Sequence, residues 1–463
     1  MVDKTAFDGS RSGVFAEEMS AIRFSDLDER DLEQLKRLLL DHLACCYRGS
    51  RLPWGEKMHN WARDYEGSGR AALFAAGVNL SPAMAAFTNA TAAHGLELDD
   101  THDESVSHPG AAIIASALAL GRHLGRSGRD ILPAIMVGYE VTGRLGAATN
   151  AARIIEKGFH PTSLFTGFGA TATAAYLMGL DARRLSQAWG LMLSLAGGSM
   201  QFSQEPEGTT VKRLHGGYAA LHGVIAAEHA AIGIAGPEQA LDGRYGLIPN
   251  FGEDQDPDRL LRPHPNGPEI HRISFKPYPC CRLFHSTLDG LEEITNGFSL
   301  DPAEIKLLRV GGPEIMVSQH MLRRPTSEMA AQYSLPYTLG SALYFGPRSV
   351  DGFMEGALSD PRILAIADRV ESELDAEMEA AFPRHFGSWV ELETHSGETR
   401  RAEILDSLGT PARPMTTQVL CAKFDELIKP TGLGMKGADT AEQLQSFEDL
   451  ENIDDFLAPF LGA

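Results

Sequence analysis

The sequence predicts a mainly α-helical protein that carries a smaller α+β domain, here called the lid, inserted in the chain. Apolar residues recur at helical spacing through roughly the first 260 residues, in segments rich in Ala, Leu and Gly. Strand-like runs mixed with helical stretches follow, and the last part of the chain is helical in pattern again. We therefore predict a helical domain over 1–268, a lid over 269–404, and a segment, 405–463, that returns to the helical domain.

The first domain is predicted to be a helical bundle. In DLDERDLEQLKRLLLDHLACCYRG (26–49), Leu32, Leu35 and Leu39 fall on one face, which is typical of a helix with one buried side. Several later segments, such as GFGATATAAYLMG, are Ala-rich nearly all round, which indicates helices inside the bundle. The further helical segments are 82–94, 110–124, 129–149, 163–179, 186–197 and 217–234.

In the predicted lid, the residue pattern changes from helical to a mixture of strand-like and helical stretches. EIHRISFKPYP and EIKLLRVGG are typical of strands, and WVELETHSGETRRAEIL (389–405) is typical of a hairpin that turns at His395–Ser396–Gly397. Helical patterns lie between them at 283–296, 327–345 and 360–380. Alternation of this kind predicts an α+β insertion of roughly 135 residues.

Composition narrows the class of protein. The formal net charge of −21 argues against a nucleic-acid or acidic-membrane partner, and no long apolar run predicts a membrane span. The five cysteines form no CxxC pattern, which fits a reducing compartment, so we expect a cytoplasmic location. The motifs GxxxxGK[ST], HExxH and GxSxG are absent from the sequence.

One short stretch, HGLELDDTHDESVSHPG (94–110), concentrates ionisable side chains. Its end, Ser-His-Pro-Gly, has the pattern of a helix start, which would place His108 at a helix N-terminus. There the macrodipole disfavours an imidazolium, as a general base near neutral pH requires. A cap without catalytic function is the alternative. GFHPTSLF repeats the pattern and places His160 at a second helix start.

Two lysines lie in segments that could bind an anion. Lys212 belongs to VKRLHGGY, just before a predicted helix, and Lys276 ends a predicted strand in FKPYPCCRLFH. Solvated loop charges are the alternative for both. The adjacent cysteines disfavour a structural zinc site. The pair His102-Asp103 resembles that of metal-dependent phosphohydrolases, so a metal-dependent hydrolase that uses the 94–108 cluster stays open as a rival class.

Five pieces in order resemble the MmgE/PrpD family, whose members include 2-methylcitrate dehydratase, cis-aconitate decarboxylase and iminodisuccinate epimerase. They are TNATAAHGLELDDTH…HPGAAI, KGFHPTSLFTGFGATATAAYLMGLD, VKRLHGGYAALHGVIAAEH…GIAGPEQALDGRYG, FKPYPCCRLFHSTLDGL and AQYSLPYTLGSALYFG. The resemblance implies the same two-domain fold, a homodimer, and an active site between helical domain and lid. It implies neither a metal nor an organic cofactor.

The resemblance also implies functional residues. Catalytic roles fall on Glu97, Thr101, His108, His160, Lys212 and Lys276. Substrate binding falls on His160, Lys212, Lys276, Tyr337 and Cys281. Relatives that decarboxylate have a histidine in place of Cys281, so the Cys-Cys pair favours a hydro-lyase acting on a 2-methylcitrate-like acid, as in propionate metabolism.

The implied chemistry is proton transfer at a carbon next to a carboxylate of a small polycarboxylate. His108 would move the proton, while Lys212, Lys276 and His160 would hold substrate carboxylates. Dehydration is expected, with decarboxylation or epimerisation as alternatives, and a helical scaffold with a degenerate pocket as the non-enzyme alternative. His102, Asp103 and Glu104 are expected on the loop surface.

Overall fold

The computed structural model describes residue 7, residues 9–205 and residues 209–462. The helices up to the lid are α1 (Arg11–Ala21), α2 (Glu29–Ser50), α3 (Pro53–Ala62), α4 (Pro82–His94), α5 (Pro109–Leu124), α6 (Gly128–Thr149), α7 (Ala151–Glu156), α8 (Pro161–Leu177), α9 (Ala182–Leu193), α10 (Val211–Ala231) and α11 (Leu247–Phe251). Those that follow are α12 (His285–Ile294), α13 (Glu314–Gln319), α14 (Glu328–Gln332), α15 (Leu335–Phe345), α16 (Glu355–Leu358), α17 (Pro361–Ala367), α18 (Ala376–Ala381), α19 (Thr417–Ile428), α20 (Gly437–Gln445) and α21 (Asp454–Leu457).

A bundle of Ala- and Gly-rich helices forms the centre of the larger domain. Helices α8 and α10 pack on each other, with α4, α5 and α6 around them. A Cβ atom at Gly217 of α10 would lie 2.1 Å from Thr91 Oγ1 of α4, so the two helices meet at a distance that only glycine permits. This close approach brings the end of α4 next to the start of α10.

The strands are short outside the lid. They are β1 (Ala71–Leu73), β2 (Val78–Leu80), β3 (Thr101–His102), β4 (Ile273–Ser274), β5 (Ile305–Gly312), β6 (Val370–Leu374), β7 (Ser388–Thr394) and β8 (Thr399–Ile404). The lid sheet has the order β6-β5-β7-β8, with β5 parallel to β6 and the other pairs antiparallel. The predicted mainly α-helical fold with a small sheet-containing unit is confirmed.

Buried apolar residues fall into two clusters. One runs from Phe15 to Phe275 and takes in the chain from Met415 to Phe460, because α19 and α20 pack on α2. The other cluster contains residues between Tyr278 and Ala402, around the lid sheet. The predicted boundaries at 269 and 404 stay predictions beside this distribution. No helix in the described ranges is long and apolar enough to cross a membrane.

Three sequence-based expectations about elements are corrected. The predicted helix 360–380 contains strand β6, which pairs with β5. The predicted strand EIHRISFKPYP is a strand only at β4, which pairs with β3 rather than with the lid sheet. Helix α10 begins at Val211 rather than at 217, so Lys212 lies in its first turn and not in a preceding loop.

Candidate active site

A buried carboxylate joins the two predicted lysines. Glu97 lies in the loop after α4 and contacts Lys212 of α10 directly through its Oε1 atom. Its Oε2 atom lies 3.5 Å from Lys276 Nζ and accepts a hydrogen bond of 3.2 Å from the Tyr333 hydroxyl. All three charged side chains are at most 1% exposed. The Glu97 carboxylate thus joins the loop after α4 to α10 and to the lid part of the chain.

The two lysines determine the ionisation state of the Glu97 carboxyl. Burial by itself would raise the pKa of Glu97, but Lys212 and Lys276 outweigh it and hold that pKa well below its usual value. The carboxyl is therefore ionised at neutral pH. Removal of one lysine would leave a buried charge unbalanced, which is far more costly than loss of a surface ion pair.

A second buried carboxylate lies between two histidines. Asp99 Oδ2 is 2.7 Å from His94 Nδ1, and Asp99 Oδ1 is 3.3 Å from His108 Nδ1. His108 precedes Pro109 at the start of α5, so the predicted helix start is confirmed. The ring centroids of the two histidines are 4.9 Å apart. One aspartate can therefore orient both imidazoles.

Protonation in this group follows from burial and charge. Burial raises the pKa of Asp99, but His108 and His94 outweigh it, so the pKa lies well below its usual value. Burial, with help from nearby Lys212, lowers the pKa of His94 to about 4. His94 is thus neutral at neutral pH beside an ionised aspartate.

His160 lies at the start of α8, as predicted, and faces a different partner. Its Nδ1 atom is 2.8 Å from His215 Nδ1 of α10, and both rings pack against Phe202 at 5.5 Å. Burial, followed by His215 and Lys212, holds the pKa of His160 well below its usual value. His160 is a neutral polar group that lies 6.2 Å from the His94 ring, centroid to centroid.

Three predicted residues have other partners in the structure. Thr101 Oγ1 lies 3.4 Å from Asp103 Oδ1, and its backbone pairs with Ser274. The Tyr337 hydroxyl donates to the Gly352 carbonyl inside the lid core. Cys281 is buried, and burial raises its pKa to about 11, so the thiol is neutral. Among the described contacts, none joins Thr101 or Tyr337 to the histidine groups, and their roles stay predictions.

The structure adds site residues that the sequence reasoning missed. They are His94, Asp99, His215 and Tyr333. In the sequence Asp99 stands out only as half of an Asp-Asp pair, and Tyr333 lies four residues before the predicted Tyr337. The expected exposure of His102 is wrong, because its ring is 1% exposed and its Nε2 atom is 2.9 Å from Glu269.

Three side chains have the chemistry to hold a metal ion. His94, Asp99 and His108 each offer a ligand atom, and these atoms lie within 4.8 Å of one another. The separation of 2.7 Å between His94 Nδ1 and Asp99 is that of a hydrogen bond, which a metal ion would have to replace. The residues fit a hydrogen-bonded group as they stand and a metal site only after rearrangement.

A cavity of about 360 Å³ lies beside these groups. Phe202 from the His160 group and Tyr333 from the Glu97 group both line it, together with His320 and Met329. The cavity therefore adjoins one side chain that packs on His160 and one that contacts Glu97, while Lys212, Lys276 and His160 are not among the residues that line it.

Fold and site together define a mainly helical protein that brings buried histidines, lysines and carboxylates together. Family models agree: the MmgE/PrpD N-terminal domain matches residues 14–260, and the MmgE/PrpD C-terminal domain matches residues 278–446. The chain belongs to the MmgE/PrpD family.

Curated relatives match over nearly the whole chain. A cis-aconitate decarboxylase from Aspergillus terreus is 25% identical over 452 residues, which cover 92% of this chain and 91% of the relative. That of Homo sapiens is 26% identical over 454 residues, covering 95% and 92%, and that of Mus musculus is 26% identical over 458 residues, covering 95% and 91%. Family and relatives indicate a lyase-type enzyme of small-acid metabolism.

Proposed function

We propose that the protein is a lyase that moves a proton at a carbon next to a carboxylate of a small di- or tricarboxylic acid, without a metal or organic cofactor. The observation that carries the proposal is the meeting of two buried lysines and Tyr333 at one carboxylate, a few residues from histidines paired with Asp99. Dehydration of a 2-methylcitrate-like hydroxy acid is the proposed reaction.

Substrate binding would use the donors around Glu97. A substrate carboxylate at Lys212 and Lys276 would take up part of their positive charge, and His160 would hold a further polar group. When the α-proton leaves, negative charge develops on that carboxylate, and fixed cations in a water-poor site stabilise it. This lowers the barrier because the lysines need no reorganisation during the step.

Proton transfer would use His108. Its imidazole takes the proton from carbon, and Asp99 stabilises the imidazolium that results. In a dehydration, the β-hydroxyl then leaves with a proton as water and a carbon–carbon double bond forms. Return of the proton on the other face would give epimerisation on the same site.

Decarboxylation of an unsaturated tricarboxylate is the second candidate, because the curated relatives are named cis-aconitate decarboxylases. Here the carbon–carboxylate bond breaks, carbon dioxide leaves, and an imidazolium delivers a proton to carbon. Cys281 argues for dehydration only through the family resemblance, so both reactions must be assayed together.

The deciding experiment is incubation with a panel of hydroxy- and unsaturated polycarboxylates in deuterated water, followed by NMR. Loss of water, loss of carbon dioxide, and deuterium exchange at carbon identify dehydration, decarboxylation and proton transfer respectively. The exposed His229→Ala, on the same helix as Lys212, is the matched control for His108→Ala. If no acid in the panel reacts or exchanges deuterium, the proposed function is wrong.

The lysines need a paired test, because each balances Glu97. We expect Lys212→Met to abolish turnover and also to lower the free energy of unfolding by about 3–5 kcal/mol, since it leaves a buried carboxylate with less compensation. The double variant Glu97→Gln/Lys212→Met should regain stability without regaining turnover. Recovery of both would assign the lysine a purely structural role.

The metal-dependent hydrolase is the rival class, because His94, Asp99 and His108 lie together. Metal analysis of the purified protein and assays in excess chelator separate the two. We expect lyase turnover to persist in chelator. Turnover that requires an added divalent ion, and that disappears in chelator, would favour the rival.

A cytoplasmic homodimer is the proposed setting. The dimer is proposed from the family resemblance and is tested by the molar mass in light scattering. The location is proposed from five cysteines that are all free thiols.

A further inference from the structure

The loop that carries Glu97 and Asp99 is held by two side chains from distant parts of the chain. Lys423 of α19 donates a hydrogen bond of 2.7 Å to the Leu98 carbonyl. Gln332 of α14 donates one of 3.0 Å to the Leu96 carbonyl. The peptide group that precedes Glu97 and the one that precedes Asp99 are therefore both held from outside the loop.

The backbone at Glu97 needs such support. Its φ is +56°, in the left-handed region that residues with a side chain rarely adopt. A residue in this conformation persists only when its surroundings determine it strongly. The conformation has a consequence for the site: it lets Glu97 reach the lysines while Asp99, two residues on, reaches the histidines.

Lys423 is itself a costly group to bury. Its side chain is 7% exposed, and its Nζ atom lies 2.6 Å from Asp41 Oδ1 of α2. Burial alone would lower the pKa of Lys423, but Asp41 outweighs it and the pKa is raised, so the lysine is a cation. A charged donor makes a stronger bond to the Leu98 carbonyl than a neutral one.

We infer that Lys423 and Gln332 are positioning residues that hold the Glu97–Asp99 loop in its working conformation. The inference rests on the proposed function for its effect on turnover, but not for its effect on the loop. Lys423 comes from the C-terminal segment and Gln332 from the lid part of the chain. The active-site loop is thus held jointly by both.

The test compares Lys423→Met with Lys36→Met. Lys36 is also buried and also binds the C-terminal segment, through the Gln445 carbonyl at 2.7 Å and Glu448, but it does not contact the loop. Both variants lose an ion pair, which is buried for Lys423 and partly buried for Lys36, so both are expected to lower the unfolding temperature. Only Lys423→Met also loses a contact with the loop.

Hydrogen exchange measured by mass spectrometry gives a readout that needs no substrate. In Lys423→Met, we expect exchange in the peptide covering residues 95–101 to be at least about tenfold faster, and in Lys36→Met to be unchanged. Gln332→Met should accelerate the same peptide. Equal exchange in Lys423→Met and Lys36→Met would overturn the inference, whether or not a substrate is known.

Turnover gives the second readout once a reacting acid is identified. We expect kcat of Lys423→Met to fall by about 10- to 100-fold with KM changed less than about threefold, because the reacting groups are displaced rather than removed. Lys36→Met should keep the wild-type kcat. If Lys423→Met does not fold, Asp41→Asn/Lys423→Met removes the unpaired charge and is measured instead. Wild-type kcat in a folded variant that lacks Lys423 would contradict the inference.

Discussion

His108 and His160 have the same local sequence pattern and different surroundings. Each precedes a proline that begins a helix, α5 in one case and α8 in the other. His108 is partly exposed and faces the Asp99 carboxylate, whereas His160 is buried and faces neutral His215. Of these two histidines, only His108 faces an anion, which would stabilise an imidazolium, so the proposed proton-transfer role falls on His108 rather than on His160.

The largest expected effect separates the two histidines directly. His108→Ala should lower kcat by about 10²–10⁴-fold, the usual contribution of a general acid–base group, with little change in KM. His160→Ala should instead raise KM more than it lowers kcat, because it removes a binding group. Steady-state kinetics on the reacting acid measure both. Equal losses of kcat would show that the two positions share the proton-transfer role.

The next effect concerns Asp99, the partner that distinguishes His108. Asp99→Asn should lower the plateau kcat by about 100-fold, because an amide can accept from one histidine but presents an NH₂ group to the other. Steady-state kinetics on the reacting acid measure the loss. A wild-type kcat in a folded Asp99→Asn variant would contradict the pairing of Asp99 with His108.

A smaller effect on the kinetics is expected for His215, the partner of His160. His215→Asn removes the ring beside His160, which costs one hydrogen bond between neutral groups. We expect KM to rise by about fivefold while kcat stays near the wild-type value. Titration calorimetry with a non-reacting analogue would check the affinity. A kcat loss as large as that of Asp99→Asn would place His215 in the proton-transfer step.

Local signals in the sequence were sufficient for the helix starts at Pro109 and Pro161, since proline at the first turn acts within its own helix. Long-range partners were not predictable in this way. His102 is buried because Glu269 lies beside it, 167 positions later. Strand β6 was predicted as helix because its partner β5 is about 60 residues away, and pairing overrides local propensity.

The candidate site shows the same difference between what local sequence signals indicate and what depends on long-range contacts. Local sequence pattern indicates Lys212 and Lys276 only as candidates for binding an anion, and their catalytic roles are implied by the family resemblance. Neither signal predicts that both lysines contact Glu97. Asp99 contacts two histidines and Asp100 contacts none. No pattern within HGLELDDTHDESVSHPG distinguishes the two aspartates. That difference arises from the direction of each side chain in the folded loop, which depends on contacts made elsewhere.

Asp100 therefore offers the most sensitive control for the comparison. It accepts hydrogen bonds of 2.8 Å from the Gly110 N–H and of 2.6 Å from the Tyr139 hydroxyl, and no described contact joins it to His108. Asp100→Asn preserves a similar shape and should leave kcat within about twofold of the wild type, since a side chain that does not touch the reacting group has little effect on the step. A loss close to that of Asp99→Asn would mean that the loop acts as a unit and that the contrast between His108 and His160 does not rest on Asp99 alone.

The stability of the same variant should depend on pH in a defined direction. Burial, with the nearby charge of Asp99, raises the pKa of Asp100 from 3.8 to about 7, although the bond from Tyr139 opposes this. The folded state then holds a proton that the unfolded state has lost between about pH 4 and pH 7, so this contribution to stability is lost as pH rises through that range. Asparagine cannot titrate. Relative to the wild type, Asp100→Asn should therefore gain in free energy of unfolding from pH 4 to pH 8, as measured by urea denaturation, and a constant difference would show that Asp100 is ionised in the folded protein throughout.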